Sequence, residues 1–118
     1  MAGRLANARV LVADPSRDTQ ELLGTLLFEW GAEVRVAATA GEALREFIEW
    51  RPDLLTTELE MVDDLESGTW GGISLIRAVR GLTSEDGGGT PILALTAYAR
   101  DFDRLNALGA GATHYARA

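Results

Sequence analysis

Short apolar runs alternate with one-sided helical periods along this chain. The first run is Arg9-Val10-Leu11-Val12-Ala13, and it stops at the turn Asp14-Pro15-Ser16, where Ser16 is a candidate helix cap. From Thr19 the apolar positions are Leu22, Leu23, Leu26, Leu27 and Trp30, a spacing that predicts a helix with one apolar face stopping at Gly31. Val34-Arg35-Val36-Ala37 predicts a second strand. A helix starting at Thr39 or Gly41 carries Ala43, Leu44, Phe47 and Ile48 on one side, and Pro52 bounds it. Leu54 to Leu59 predicts a third strand. Glu60 to Gly72 has no convincing period and is rich in acids and glycines. Ile73, Ile76, Val79 and Arg80 mark a short third helix, and Gly81 to Thr90 reads as a glycine-rich loop. Pro91 to Leu95 is a fourth strand, Asp101 to Leu108 a fourth helix with Phe102, Leu105 and Leu108 apolar, and Thr113 to Ala116 a fifth strand.

Strands this short and this uniformly apolar are buried on both faces. The alternation of strand and helix therefore predicts an α/β fold, a doubly wound parallel sheet with right-handed crossovers. No repeat, linker or second domain is visible, so 1–118 reads as a single domain. Ala118 follows directly on the fifth strand. The expectation is a domain cut before its last helix, or a sheet face covered by another surface.

Composition narrows the chemistry. With no cysteine and one histidine, disulfides, thiolate metal sites, cysteine nucleophiles and multi-histidine centres are excluded. All the basic residues are arginines, so no lysine can form a Schiff base or hold a phosphate. A formal net charge of −7 argues against autonomous binding to nucleic acid and to an anionic membrane surface. No signal peptide and no membrane-spanning run is visible, and the expected location is cytoplasmic.

Open parallel sheets bind ligands beyond the carboxyl ends of their strands. That rule places Asp14, Glu58, Thr96 and the segment 116–118 at one edge. Glu60, Asp63, Asp64 and Glu66 follow strand three. Carboxylates from two loops are oxygen ligands of the kind Mg²⁺ takes, and a solvated acidic rim is the plainer reading. Neither a dinucleotide fingerprint nor a P-loop follows strand one, so a nucleotide enzyme is disfavoured.

Three stretches carry a family resemblance. Residues 52–58 read PDLLTTE, 91–97 read PILALTA and 110–115 read AGATHY. Together with the element order they resemble the CheY-like receiver domain of bacterial two-component response regulators, over Val10 to Ala118. The resemblance implies a flavodoxin-like, five-stranded sheet in the order 2-1-3-4-5. It also implies a phosphoacceptor aspartate at the end of strand three, and that position is Glu58 here. The family's paired acids after strand one fall on Asp14 and Pro15. Its switch hydroxyl falls on Thr96, its switch aromatic on Tyr115, and its lysine on Ala118. Its Asp-Gly before helix three falls on Gly71-Gly72, after extra residues.

The departures bear on function. Phosphoryl transfer rests on positioning and charge neutralisation. Pro15 offers no side-chain oxygen, Ala118 no cation, and Glu58 stands one methylene further out. The resemblance with these departures implies a degenerate pseudo-receiver: a phosphorylation-independent interaction and signalling module, not an enzyme, with no catalytic residue and no cofactor. Asp14, Glu58 and Glu60 then form a vestigial acidic pocket. Glu58 is open to two readings, a stand-in for a phosphorylated aspartate or a polar residue at a retired site. The alternative is a Mg²⁺-dependent phosphoacceptor of a phosphorelay, with Asp14 and Glu58 as metal ligands. Trp70, Arg100 and Arg104 are interaction candidates, Trp70 being also a plug or local core. Trp30 and Trp50 read as flanking core and His114 as a surface residue. The expected partner is a protein, with a histidine kinase, an output domain and a second copy of the chain as candidates.

Overall fold

The computed structural model describes residues 3–65, 70–97 and 100–117. The elements are β1 (Arg9–Ala13), α1 (Arg17–Glu29), β2 (Glu33–Ala37), α2 (Ala40–Trp50), β3 (Leu54–Thr57), α3 (Gly71–Arg80), β4 (Ile92–Thr96), α4 (Asp101–Ala110) and β5 (His114–Arg117). All strand pairings are parallel and the order is β2-β1-β3-β4-β5. The doubly wound sheet and its strand order are as expected. Four helices stand among the described residues, with β5 as the last element.

Local signals explain the helix ends. Ser16 caps α1 by accepting the Thr19 amide, and Thr39 caps α2 by accepting the Glu42 amide. Arg51 takes a left-handed conformation (φ 54°) at the end of α2, immediately before Pro52. Strand three is shorter than expected and stops at Thr57. The Glu58 amide still bonds the Ala13 carbonyl of β1, but the next amide, that of Leu59, donates to the Glu58 carboxylate.

The core divides at the sheet. One cluster joins Leu11, Leu55, Ile92 and Ala94 to Phe47 and Trp50 of α2, Leu75, Ile76 and Val79 of α3, and Ala107 of α4. The other is smaller and joins Val10 and Val12 to Leu23 and Leu27 of α1. Trp50 is core, as expected, and its ring lies 4.9 Å from the Arg35 guanidinium and 5.8 Å from that of Arg9.

Three apolar faces differ from expectation. No residue of α1 is fully buried; Leu22, Leu26 and Trp30 are exposed, so Trp30 is not flanking core. The helix packs mainly on β1 and β2, and its apolar stripe is wider than that contact. Ile48 of α2 is likewise exposed. On α4, Phe102, Leu105 and Leu108 face outward, while Asp103 and Ala107 are buried. A helical period reveals a stripe but not its direction. Here α4 approaches the molecule through a small side chain and an ion pair.

Candidate functional site

The carboxyl ends of β1, β3 and β4 build one open cleft of about 320 Å³. Asp14, Pro15, Ser16, Thr19, Glu58, Glu60, Leu95 and Ala97 line it. The sheet therefore brings Asp14, Glu58 and Glu60 to one cleft. Parallel pairing fixes the approach: the Asp14 amide donates to the Ala37 carbonyl at 2.9 Å, and the Glu58 amide donates to the Ala13 carbonyl at 2.9 Å.

Glu58 is the centre of the hydrogen bonding. Its Oε1 accepts from the Leu59 amide at 3.0 Å, from the Glu60 amide at 3.4 Å, and from the Thr96 hydroxyl. Thr96 is the last residue of β4 and is fully buried. An ionised carboxylate accepting three donors on one oxygen is held in a single orientation. Asp14 stands beside it. Burial raises the Asp14 pKa above its usual value, the Ser16 amide opposes this, and the Glu58 charge adds to it. Asp14 Oδ1 accepts that Ser16 amide at 2.8 Å.

Tyr115 is half-buried on β5 and packs against the larger core. Burial raises the pKa of its hydroxyl, the charges of Asp103 and Glu58 raise it further, and Arg104 and Arg100 partly offset them. Arg100 forks onto the buried Asp103, Nε to Oδ2 at 2.8 Å and Nη2 to Oδ1 at 3.1 Å. Trp70 packs on the larger core at the start of α3 and is not among the residues lining the acidic cleft. Arg104 and His114 are exposed.

Asp63 and Asp64 of the insertion hold neighbouring hydroxyl and backbone groups. Asp64 accepts the Gly41 amide and the Thr39 hydroxyl at the start of α2. Asp63 accepts the Ser74 hydroxyl at 2.9 Å. Met61 and Leu59 carbonyls accept the amides of Gly71 and Gly72. A Cβ on Gly72 would lie 2.1 Å from the Glu58 carbonyl oxygen, so the start of α3 needs glycine there. Glu66 and Ala118 lie outside the described residues.

The donor set is a poor one for a divalent ion: Pro15 offers no side-chain oxygen beside Asp14, Asp14 Oδ1 accepts the Ser16 amide, and Glu58 Oε1 accepts three donors. Among the described residues no three acids or histidines are grouped to hold a metal.

One polar residue escaped the sequence reading. Arg80, at the end of α3, donates to the carbonyls of Gly111 at 2.8 Å, Gly88 at 2.9 Å and Thr90 at 2.7 Å. Its partners are far apart in the chain, so no local motif announces it.

A family model of the response regulator receiver domain matches residues 10–116. The chain belongs to the response regulator receiver domain family. An uncharacterised 14.6 kDa protein of Leptolyngbya boryana is 40% identical over 111 residues, covering 94% of this chain and 79% of that protein. The transcriptional regulatory protein PrrA of Mycobacterium leprae is 32% identical over 111 residues, covering 94% of this chain and 43% of PrrA. A response regulator of Burkholderia pseudomallei, solved with a phosphorylated aspartic acid, calcium ion and citrate, aligns with a TM-score of 0.79 at 26% identity. That alignment covers 94% of this chain and 59% of the other. The receiver thus spans less than half of PrrA and somewhat over half of the Burkholderia chain. Receiver domains of this family are regulatory rather than catalytic, and the general function is signalling. Among the described residues no helix is long and apolar enough to cross a membrane.

Proposed function

We propose that this receiver is a pseudo-receiver, a protein-interaction module whose signalling state is set without phosphorylation. Glu58 takes the place of a phosphorylated aspartate. The observation that carries this reading is the set of three donors, the Thr96 hydroxyl and the Leu59 and Glu60 amides, converging on one Glu58 oxygen. A phosphoryl group presents acceptor oxygens further from the backbone than an aspartate does. The extra methylene of glutamate carries its oxygen in the same sense. The poor fit of the cleft to a divalent ion supports the same reading, because it removes the charge neutralisation that phosphoryl transfer needs.

Thr96 and Tyr115 are then the groups that pass the state of Glu58 to the surface, with residues 1–118 acting as one cytoplasmic domain. The partner is a protein, a histidine kinase or an output domain, and homodimerisation is a further route. A net charge of −7 disfavours nucleic acid and anionic membranes as partners.

The test is incubation with acetyl phosphate and Mg²⁺, followed by intact mass and amide NMR spectra. The expected result is an unchanged mass and unchanged resonances at Asp14, Glu58 and Thr96. A stoichiometric acyl phosphate on Glu58 would overturn the proposal in favour of a phosphoacceptor.

A further inference from the structure

A loop, and not the strand that carries it, supplies two of the three donors on Glu58. We infer that Asp64 is a positioning residue for that loop. By gripping the first turn of α2 it makes residues 59–64 a strap that keeps the Leu59 and Glu60 amides on Glu58, and so couples the start of α2 to the state of Glu58. The inference deepens the pseudo-receiver reading, and its bearing on signalling rests on that reading.

The need for a strap comes from the backbone. The Leu59 amide reaches Glu58 Oε1 at 3.0 Å and the Glu60 amide at 3.4 Å, the second beyond the usual range. Both residues follow the end of β3 at Thr57. Leu59 and Met61 are buried, whereas Glu60 and Val62 are exposed, so burial secures only alternate residues of this stretch.

Asp64 is the far anchor. One of its carboxylate oxygens accepts the Gly41 amide, and the other accepts the Thr39 hydroxyl at 3.1 Å. Thr39 Oγ1 in turn accepts the Glu42 amide at 3.1 Å, so a relay of hydrogen bonds runs from the first turn of α2 to the strap. The carboxylate charge also meets the positive end of the helix dipole. Val62 adds a backbone tie: its carbonyl accepts the Ala40 amide at 3.2 Å, in a parallel bridge with Thr39. Gly41 leaves the room this needs, since a Cβ there would stand 2.6 Å from Asp64 Oδ2. Glycine and aspartate, 23 positions apart, thus fit one another.

The near flank is tied to α3. The Leu59 and Met61 carbonyls accept the Gly72 and Gly71 amides at 3.0 and 3.1 Å, and Asp63 accepts the Ser74 hydroxyl at 2.9 Å. A segment fixed on one flank swings about it. Fixed on two, it passes a displacement of the α2 turn to the amides on Glu58.

Hydrogen exchange of the whole chain, read by amide NMR, tests the strap. In Asp64→Ala the Leu59 and Glu60 amides should exchange about tenfold faster or more, relative to the core amides of Leu11 and Leu55. Asp64 is exposed, so the change leaves no cavity. Asp64→Asn keeps an oxygen for the Gly41 amide and should restore most of the protection. Gly41→Ala attacks the contact from α2. Alanine favours a helix, so α2 itself should hold or gain, while the displaced carboxylate frees the same two amides. If Asp64 only caps α2, or if the ties to α3 suffice, Glu42 and Ala43 loosen in Asp64→Ala while Leu59 and Glu60 stay protected, which overturns the inference. Protection lost only in step with the core amides overturns it too. Treating the wild-type chain with acetyl phosphate and Mg²⁺ keeps the two proposals apart. An adduct on Glu58 sinks phosphorylation independence, and faster Leu59 and Glu60 exchange in the variants would still uphold the strap. No adduct, with both amides protected in Asp64→Ala and Gly41→Ala, sinks the strap alone.

Discussion

Replacing Thr96 by valine removes the hydroxyl from Glu58 and keeps the shape of a fully buried side chain. A hydrogen bond to a charged group contributes about 1.5–3 kcal/mol net. Glu58 is only half-buried and keeps its two amide donors, so water replaces part of the lost bond. The expected loss is therefore near the lower end, about 1.5–2 kcal/mol. For a domain of this size that lowers Tm by roughly 5–10 °C. Thr96 makes other contacts, so the single variant overstates the pair, and a double-mutant cycle isolates it. With Glu58→Gln as the second change, a neutral acceptor keeps roughly half of the charge-assisted bond. The cycle should then return a coupling of about 1 kcal/mol. Urea denaturation followed by circular dichroism measures all four proteins. Additivity within about 0.3–0.5 kcal/mol would refute the placement of the hydroxyl on the carboxylate, and with it the basis of the phosphate-mimic reading.

Asp14→Asn should stabilise the protein at neutral pH. The folded pKa of Asp14 is raised, so its contribution is fully present below the ordinary 3.8 and is lost as pH rises through the folded value. The advantage of the asparagine variant should accordingly vanish in melts below that pH and grow above it; a pH-independent difference would contradict the burial argument. Gly72→Ala sets a Cβ 2.1 Å from the Glu58 carbonyl oxygen, a backbone atom that cannot swing aside. A loss of at least about 2 kcal/mol in urea denaturation, with displaced Glu58 and Thr96 amide resonances, is expected.

Much of the fold was legible because its signals are local. Ser16 and Thr39 are caps with the amides they accept three residues away, and Pro52 closes α2 through its own ring. Apolar strands flanked by helical periods leave few topologies besides a parallel sheet. Directions were not legible. Leu22, Leu26 and Trp30 have the spacing of a core face, yet α1 packs mainly on β1 and β2 and leaves them in solvent. Phe102 and Leu105 look like the inner face of α4, whereas Ala107 and the charged Asp103 are taken inside. The cleft residues Asp14, Glu58 and Thr96 follow from strand ends alone, so sequence order finds them. The turning of the Glu58 carboxylate onto Thr96, 38 positions away, depends on sheet register and side-chain length, which no local pattern carries. Asp64 and Arg80 are similar cases, since each serves backbone groups brought near by the fold.

The Arg80 guanidinium gathers carbonyls from the loop before β4 and the turn before β5, at the amino ends of those strands. Glu58 and Thr96 act at the carboxyl ends. A planar fork with several fixed donors can tie down that many strand entrances at once, which a lysine ammonium on its flexible stem would do poorly. The entrances of β4 and β5 are thereby pinned to the end of α3, so the two strands that bear Thr96 and Tyr115 share one anchor at the end remote from Glu58.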